Sequence, residues 1–242
     1  MRVVGIDSSS ATASAALIED SRLIAEHCYP GSTAGLTALK SNHAEILLPL
    51  IESVIAAART TLGEVSGLAV AIGPGSFTGL RIGLSTVKGL AYGWGIPVVG
   101  ISTLLAQAAR AGDFDGLICA LLDARKNEVY AALFRKRRQE LARLTEDLLA
   151  PAGSVIDQVR GAAGDMPCLF IGDGARRYEK LLLDALGGRA RLCAEDSVSS
   201  CAAAVARLGM ERLRRCETDD LGKLEPVYLR PSEAEAKRSN RI

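Results

Sequence analysis

The sequence predicts an α/β fold of two lobes, the second an eroded copy of the first. Short runs rich in Val, Ile and Leu alternate with amphipathic helical stretches. Their order is three strands, helix, strand, helix, strand, helix, and it returns in weaker form after about residue 113. Apolar residues make up 48 % of the 242, enough to bury a core. The expected division is an N-terminal lobe over residues 1–112, a C-terminal lobe over 113–232 and a frayed charged tail over 233–242.

Arg2 to Ile6 reads as a buried strand running into the polar turn Asp7-Ser8-Ser9-Ser10. Thr12 to Ile18 and Leu23 to Tyr29 flank Glu19-Asp20-Ser21-Arg22 as a hairpin. A loose stretch from Pro30 to Ser41 follows. Asn42 and Glu45 have capping-box spacing for a first helix reaching Arg59. Its apolar stripe is Leu47, Leu50, Ile51, Val54, Ile55 and Ala58. Pro49 inside it costs ~3 kcal/mol, which predicts a kink or a start nearer Leu48. Next come a strand at Leu68–Ile72, a turn at Gly73–Gly79, a helix at Leu80–Tyr92, a strand at Pro97–Ile101 and a helix at Thr103–Ala111. In the second lobe the expected strands are Leu117–Leu122, Val129–Phe134 and Cys168–Ile171. The expected helices are Ser154–Arg160, Ala175–Leu186 and Ser200–Arg215.

Lys plus Arg total 29 against 28 Asp plus Glu, so no whole-chain field draws nucleic acid or an acidic membrane. The six cysteines include no Cys-x-x-Cys pair, and several sit in apolar runs, as reduced thiols do. No apolar run approaches the ~20 residues of a membrane helix. The segment Met1–Asp7 reads as a strand rather than a leader. A soluble cytoplasmic protein is expected.

Asp7, Ser8, Gly73, Gly75 and Ser76 are the candidate nucleotide-contacting residues. A carboxylate at a strand's C-terminal end faces the crevice where open α/β sheets bind ligands. The segment Gly73-Pro74-Gly75-Ser76-Phe77-Thr78-Gly79 joins a strand to a helix N-terminus, where backbone N–H groups favour an anion. Both segments also read as structural turns. The loop lacks the Gly-Lys-Ser/Thr ending of a Walker loop. Gly79, Gly83, Gly89 and Gly93 on the following helix imply a close approach, either by this lobe's own sheet or by another chain. His27 and His43 are the only histidines, and neither has a partner at helical spacing for a metal. Arg135-Lys136-Arg137-Arg138 reads as a solvated turn or a phosphate contact. Asp123 formally echoes Asp7, and Ile171-Gly172-Asp173-Gly174-Ala175 is strand, Gly-x-Gly, helix.

The element order is that of the actin, Hsp70 and sugar-kinase superfamily, often called ASKHA. Within it the sequence resembles the TsaB (YeaZ) family in five segments. These are Gly5–Ser9, His43–Ile51, Gly73–Gly83, Asp123–Arg125 with Glu128–Tyr130, and Glu225–Arg230. The resemblance is loose from Ala142 to Asp220. It implies a role in placing a threonylcarbamoyl group on the adenosine beside the anticodon of tRNAs that read codons starting with A. In that system the transferase is a paralogue, TsaD, which holds iron or zinc through His-x-x-x-His on the helix after the strand matching Pro97–Ile101. Thr103 and Gln107 stand at those positions, and neither is a ligand for a catalytic transition metal.

The resemblance thus implies a non-catalytic partner of TsaD, with TsaE (an ATPase) joining the assembly and tRNA met only within it. No catalytic residue, metal or resident cofactor is expected; a nucleotide at the partner interface is left open. The docking face is expected on the first two helices, at His43, Leu47, Leu50, Ile51, Val54, Gly83, Val87 and Leu90, and a homodimer is expected when the chain is alone. Two alternatives stand beside this reading: a small ATP-dependent kinase or ATPase of the superfamily, and an M22-type metallopeptidase, which needs a metal.

Overall fold

The computed structural model describes residues 1–29, 43–193 and 201–230. Strands β1 (Arg2–Asp7), β2 (Ala13–Glu19) and β3 (Arg22–Tyr29) form an antiparallel meander. Only Asp20 and Ser21 lie between the paired Glu19 and Arg22, and their positive φ angles, 49° and 82°, suit a two-residue hairpin. Strands β4 (Gly67–Gly73) and β5 (Val98–Ser102) then add parallel to β1, giving the order β3-β2-β1-β4-β5. Parallel neighbours need crossover helices. These are α1 (His43–Ala57) and α2 (Phe77–Trp94), which pack side by side on one face of the sheet.

Helix α1 starts at His43 and runs through Pro49, so the later start near Leu48 does not occur. Asn42 lies outside the described residues, as do the Pro30–Ser41 stretch and the 233–242 tail. Helix α2 begins three residues before the expected Leu80, because Ser76 caps it: its Oγ accepts the Gly79 N–H at 3.3 Å. Gly95, at φ 66°, ends it.

After α3 (Thr103–Ala109) the second lobe builds on β6 (Gly116–Asp123), β7 (Glu128–Arg137), β8 (Glu140–Arg143) and β9 (Leu148–Pro151). It continues with α4 (Ala152–Ala163), β10 (Cys168–Ile171), α5 (Asp173–Arg177), α6 (Glu179–Leu186) and β11 (Ala190–Leu192). The sheet order is β11-β10-β6-β7-β8, with β9 also on β7. Strands β8, β9 and β11 are additions to the elements expected from sequence. The single helix expected over Ala175–Leu186 is two, broken at Tyr178, whose φ of −108° departs from the helix.

The final helix, α7 (Ala202–Arg214), corrects the expected partition. A boundary at residues 112 and 113 assigns it to the second lobe. Instead Val205, Ala206, Met210 and Leu213 pack with Val3, Ile18, Ala69 and Val99 on the face of the first sheet opposite α1 and α2. Small residues bring it close: a Cβ on Gly5 would lie 2.2 Å from the Ala202 carbonyl. Glu26 on β3 accepts the Ala203 N–H at 3.1 Å, and Arg212 grips Asp219 and the Gly100 carbonyl. The chain after α7 stays with the first lobe, where Leu224 is buried beside Val70 and the Val227 N–H reaches the Ile72 carbonyl at 2.7 Å.

Helix α3 is the filler between lobes. Ala106 faces the first-sheet core, while Leu104 and Ala108 join Ile118, Phe134 and Ile171 of the second sheet.

Candidate functional site

The two lobes face each other across a cleft of about 960 Å³. On the first-lobe side stand the Ser9–Ala11 loop after β1, His43, and the Gly75–Thr78 entry to α2 with Arg81 one turn on. On the other side are the tip of the β6–β7 hairpin, Asp123 to Lys126, and Asp173 at the start of α5. The strap Val227–Arg230 runs along the opening.

The strap's contacts explain how it is held. Arg230 donates to the Ala124 carbonyl at 2.7 Å and pairs with the Glu128 carboxylate. Tyr228 stacks on Phe77 with ring centroids 4.6 Å apart, and its hydroxyl accepts from Arg81 Nε at 3.0 Å. The Arg81 guanidinium lies 3.9 Å from the Phe77 ring centroid, a cation–π contact. One segment thus anchors to both lobes.

Of the five residues proposed for nucleotide contact, Gly75 and Ser76 line the cleft. The other three do not. Asp7 is buried; it accepts the Ser9 N–H at 2.9 Å, with the Ser9 hydroxyl beside it. Burial pushes the Asp7 carboxyl up, with Ser9, Arg110 and His43 pulling the other way. Ser8 is buried too, and its hydroxyl donates to the Gly79 carbonyl at 2.8 Å. Gly73, at φ 121°, is closed over by the strap: a Cβ there would meet the Val227 carbonyl at 2.5 Å.

The Gly172–Gly174 turn is filled in the same way. Cβ atoms on these glycines would lie 2.1 Å from the Leu121 carbonyl oxygen and 2.9 Å from the Leu122 carbonyl carbon. The turn packs flush on β6 instead of standing open as a cradle. Asp173 Oδ1 accepts the Asp123 N–H at 2.9 Å. Desolvation first, then the charge of Asp123, push its carboxyl up against that hydrogen bond. Asp123 itself is neutralised by Arg177 at 3.0 Å and accepts the Arg125 N–H.

The expected docking residues are corrected more sharply. Leu47, Ile51, Val54 and Val87 are fully buried in the first-lobe core, so no partner can reach them. Gly83 faces inward, because a Cβ there would sit 2.2 Å from Ser8 Oγ. Leu50 and Leu90 are half-buried against the same core. His43 lines the cleft, its Nε2 3.3 Å from the Ala11 carbonyl. The outward side of α1 and α2 carries other residues. Leu48 is 42 % exposed and Tyr92 87 %, and a Cβ on Gly89 or Gly93 would meet nothing within 4 Å.

Thr103 and Gln107 both lie buried on α3 between the lobes, and Gln107 Oε1 accepts from Arg110 at 2.9 Å. Among the described residues, no three His, Cys, Asp or Glu side chains converge where one ion could be held. No described helix is long and apolar enough to cross a membrane.

A family model described as TsaD, tRNA N6-adenosine threonylcarbamoyltransferase, matches residues 13–237. The chain is 32 % identical to the tRNA threonylcarbamoyladenosine biosynthesis protein TsaB of Bacillus subtilis, over 98 % of this chain and 97 % of that protein. The chain belongs to the TsaB family. Its members take part in tRNA threonylcarbamoyladenosine biosynthesis. The Escherichia coli TsaB is 28 % identical over 95 % of both chains. The solved YeaZ of Pseudomonas aeruginosa superposes with a TM-score of 0.75 at 25 % identity, over 94 % of this chain and 99 % of that one. The two sheets share the duplicated architecture of the actin, Hsp70 and sugar-kinase superfamily.

The residues that sequence reasoning passes over are Arg81, Lys126, Tyr228 and Arg230, together with the side chain of Arg125. Most of them stand inside segments notable for their TsaB-like pattern; what local pattern does not show is the folding back of the C-terminal strap beside α2.

Proposed function

We propose that this TsaB-family chain is a non-catalytic subunit that docks onto TsaD and activates threonylcarbamoyl transfer to tRNA, with TsaE joining the assembly. The observation that carries the reading is the state of α3. Thr103 and Gln107 occupy the two positions where the resemblance places TsaD's metal ligands, and both are packed between the lobes with Gln107 tied to Arg110. A hydroxyl and a carboxamide are poor ligands for a catalytic transition metal. A packed seam stands at those two positions, which suits a protein that works by shape.

The docking face is the solvent side of α1 and α2, around Leu48, Gly89, Tyr92 and Gly93. Glycines there allow a partner helix close to the backbone, and Tyr92 supplies an aromatic anchor. Without TsaD, the same face pairs two copies of the chain. Reconstitution tests this. TsaD, TsaE, tRNA and a threonylcarbamoyl donor are combined with and without this chain, and threonylcarbamoyladenosine is counted by mass spectrometry of digested tRNA. Transfer rises with a stoichiometric amount of the chain, and the chain without TsaD transfers nothing. Full transfer by TsaD alone, or transfer by this chain alone, overturns the proposal.

A further inference from the structure

The opening of the cleft is more cationic than the chain as a whole. Arg125 and Lys126 sit exposed at the tip of the β6–β7 hairpin, where Arg125, Lys126 and Asn127 all hold positive φ (61°, 52° and 61°). Three consecutive non-glycine residues in this region are a strained turn. It holds two cations at the edge of the cleft in place of the Asn-Gly type a relaxed turn prefers. Across the opening, on α2, stands Arg81, while Arg230 lies on the hairpin's own side, bonded to the Ala124 carbonyl. Asp123 is paired with Arg177 and Arg230 with Glu128, which leaves Arg125, Lys126 and Arg81 as the cations that face the opening. The first turn of α2 carries no acidic residue, and Phe77 and Thr78 of that turn line the same space.

The site suits an extended anion better than a nucleoside phosphate. The Gly172–Gly174 turn is packed on β6 and leaves no base pocket there. The cations lie on both sides of the opening, and between them Tyr228, 38 % exposed, presents an aromatic surface stacked on Phe77. Cations along a groove with a flat ring beside them are what single-stranded nucleic acid lies on. With net charge only +1, any such attraction is local to this groove.

We infer that the inter-lobe opening is a contact for RNA, with backbone phosphates spanning Arg125 and Lys126 on one side and Arg81 and the α2 N-terminus on the other. The choice of RNA rests on the family's place in tRNA modification, while the anion contact rests on the geometry alone.

The test uses the full chain without TsaD, so failure of the docking proposal leaves its result intact. Fluorescence anisotropy follows a labelled anticodon stem-loop RNA from 50 to 200 mM salt. The variant pair is Arg125→Asn with Lys126→Asn, because asparagine tolerates the left-handed region. Removing two phosphate contacts lowers the slope of log affinity against log salt by about 1.4–1.8 and weakens binding about tenfold at the low-salt end. Arg137→Asn with Arg138→Asn, on the exposed β7–β8 turn, is the charge-matched control and leaves the slope unchanged. Unlabelled ATP and a poly-glutamate peptide serve as competitors and do not displace the RNA at equal charge concentration. Absence of RNA binding, an equal loss in the control pair, or displacement by ATP or by the peptide overturns the inference. Circular dichroism melts of each variant establish that a loss of binding comes from a folded chain.

Discussion

Two glycines six residues apart on α2, about one and two-thirds turns, separate the inside of this helix from its outside. Gly83→Leu drives a side chain into Ser8, whose Oγ would be 2.2 Å from the new Cβ. The Ser8 hydroxyl then loses its 2.8 Å bond to the Gly79 carbonyl, about 1 kcal/mol. Overpacking adds ~1–3 kcal/mol. At 2–4 °C per kcal/mol for a chain of this size, the melting temperature falls by roughly 5–15 °C. Gly89→Leu meets nothing within 4 Å and replaces a poor helix former with a good one. It stabilises by about 0.5–1 kcal/mol and raises the melting temperature by roughly 1–4 °C. On the proposed docking face the same leucine holds the two surfaces apart and forfeits the dispersion contacts between them. Differential scanning fluorimetry is read beside TsaD capture and sedimentation of the chain alone. The expected pattern is a Gly89→Leu chain that melts at or above wild type and binds neither TsaD nor itself. If it folds and assembles as wild type does, the α1–α2 surface is not the docking face. An unchanged melt for Gly83→Leu would refute the packing argument.

Arg230→Ala removes the strap's bonds to the Ala124 carbonyl and the Glu128 carboxylate, and costs about 1–3 kcal/mol; hydrogen exchange rises in residues 123–128 and 225–229 while the first-sheet core stays protected. The Arg212–Asp219 pair gives a pH dependence: partial burial would raise the Asp219 carboxyl, but Arg212 and the Gly100 N–H together hold it below its ordinary value. Its folded pKa therefore lies below the unfolded one. The stabilisation is present above about pH 4 and is lost as pH falls through the folded value. Urea melts show wild type more stable than Asp219→Asn at pH 7, with the gap narrowing below pH 4; a constant gap would mean the charge plays no part.

The first-lobe strands, β6, β7 and β10 are legible because runs such as Val3–Ile6, Leu68–Ile72 and Cys168–Ile171 are apolar and β-branched or flanked by turn residues. Strands β8, β9 and β11 are not, since three or four residues are too few to carry a period and are set by pairing to a neighbour already in place. The α1 stripe is legible as a stripe, but the residues expected to dock on it are inside the core. Leu47, Ile51 and Val54 recur at helical spacing because this chain's own sheet covers them, which leaves the proposed docking surface to the less regular face opposite. The cleft is legible at Gly75 and Ser76, where strand meets helix. Its C-terminal wall depends on Tyr228 meeting Arg81 across 147 positions of sequence, a distance over which local pattern says nothing.

The placement of α7 has a consequence for how the molecule is made. The first sheet is finished when Ser102 has been synthesised, yet the helix that covers one of its faces begins at Ala202. At ribosomal rates of about 5–20 residues per second, that face waits roughly 5–20 seconds for its cover. Meanwhile the second sheet, drawn from one continuous stretch between Gly116 and Leu192, has all its strands in hand. The part of the chain that emerges first is the part completed last. During that interval the surface of Val3, Ile18, Ala69 and Val99 that α7 later covers is open to chaperones and to other unfinished chains.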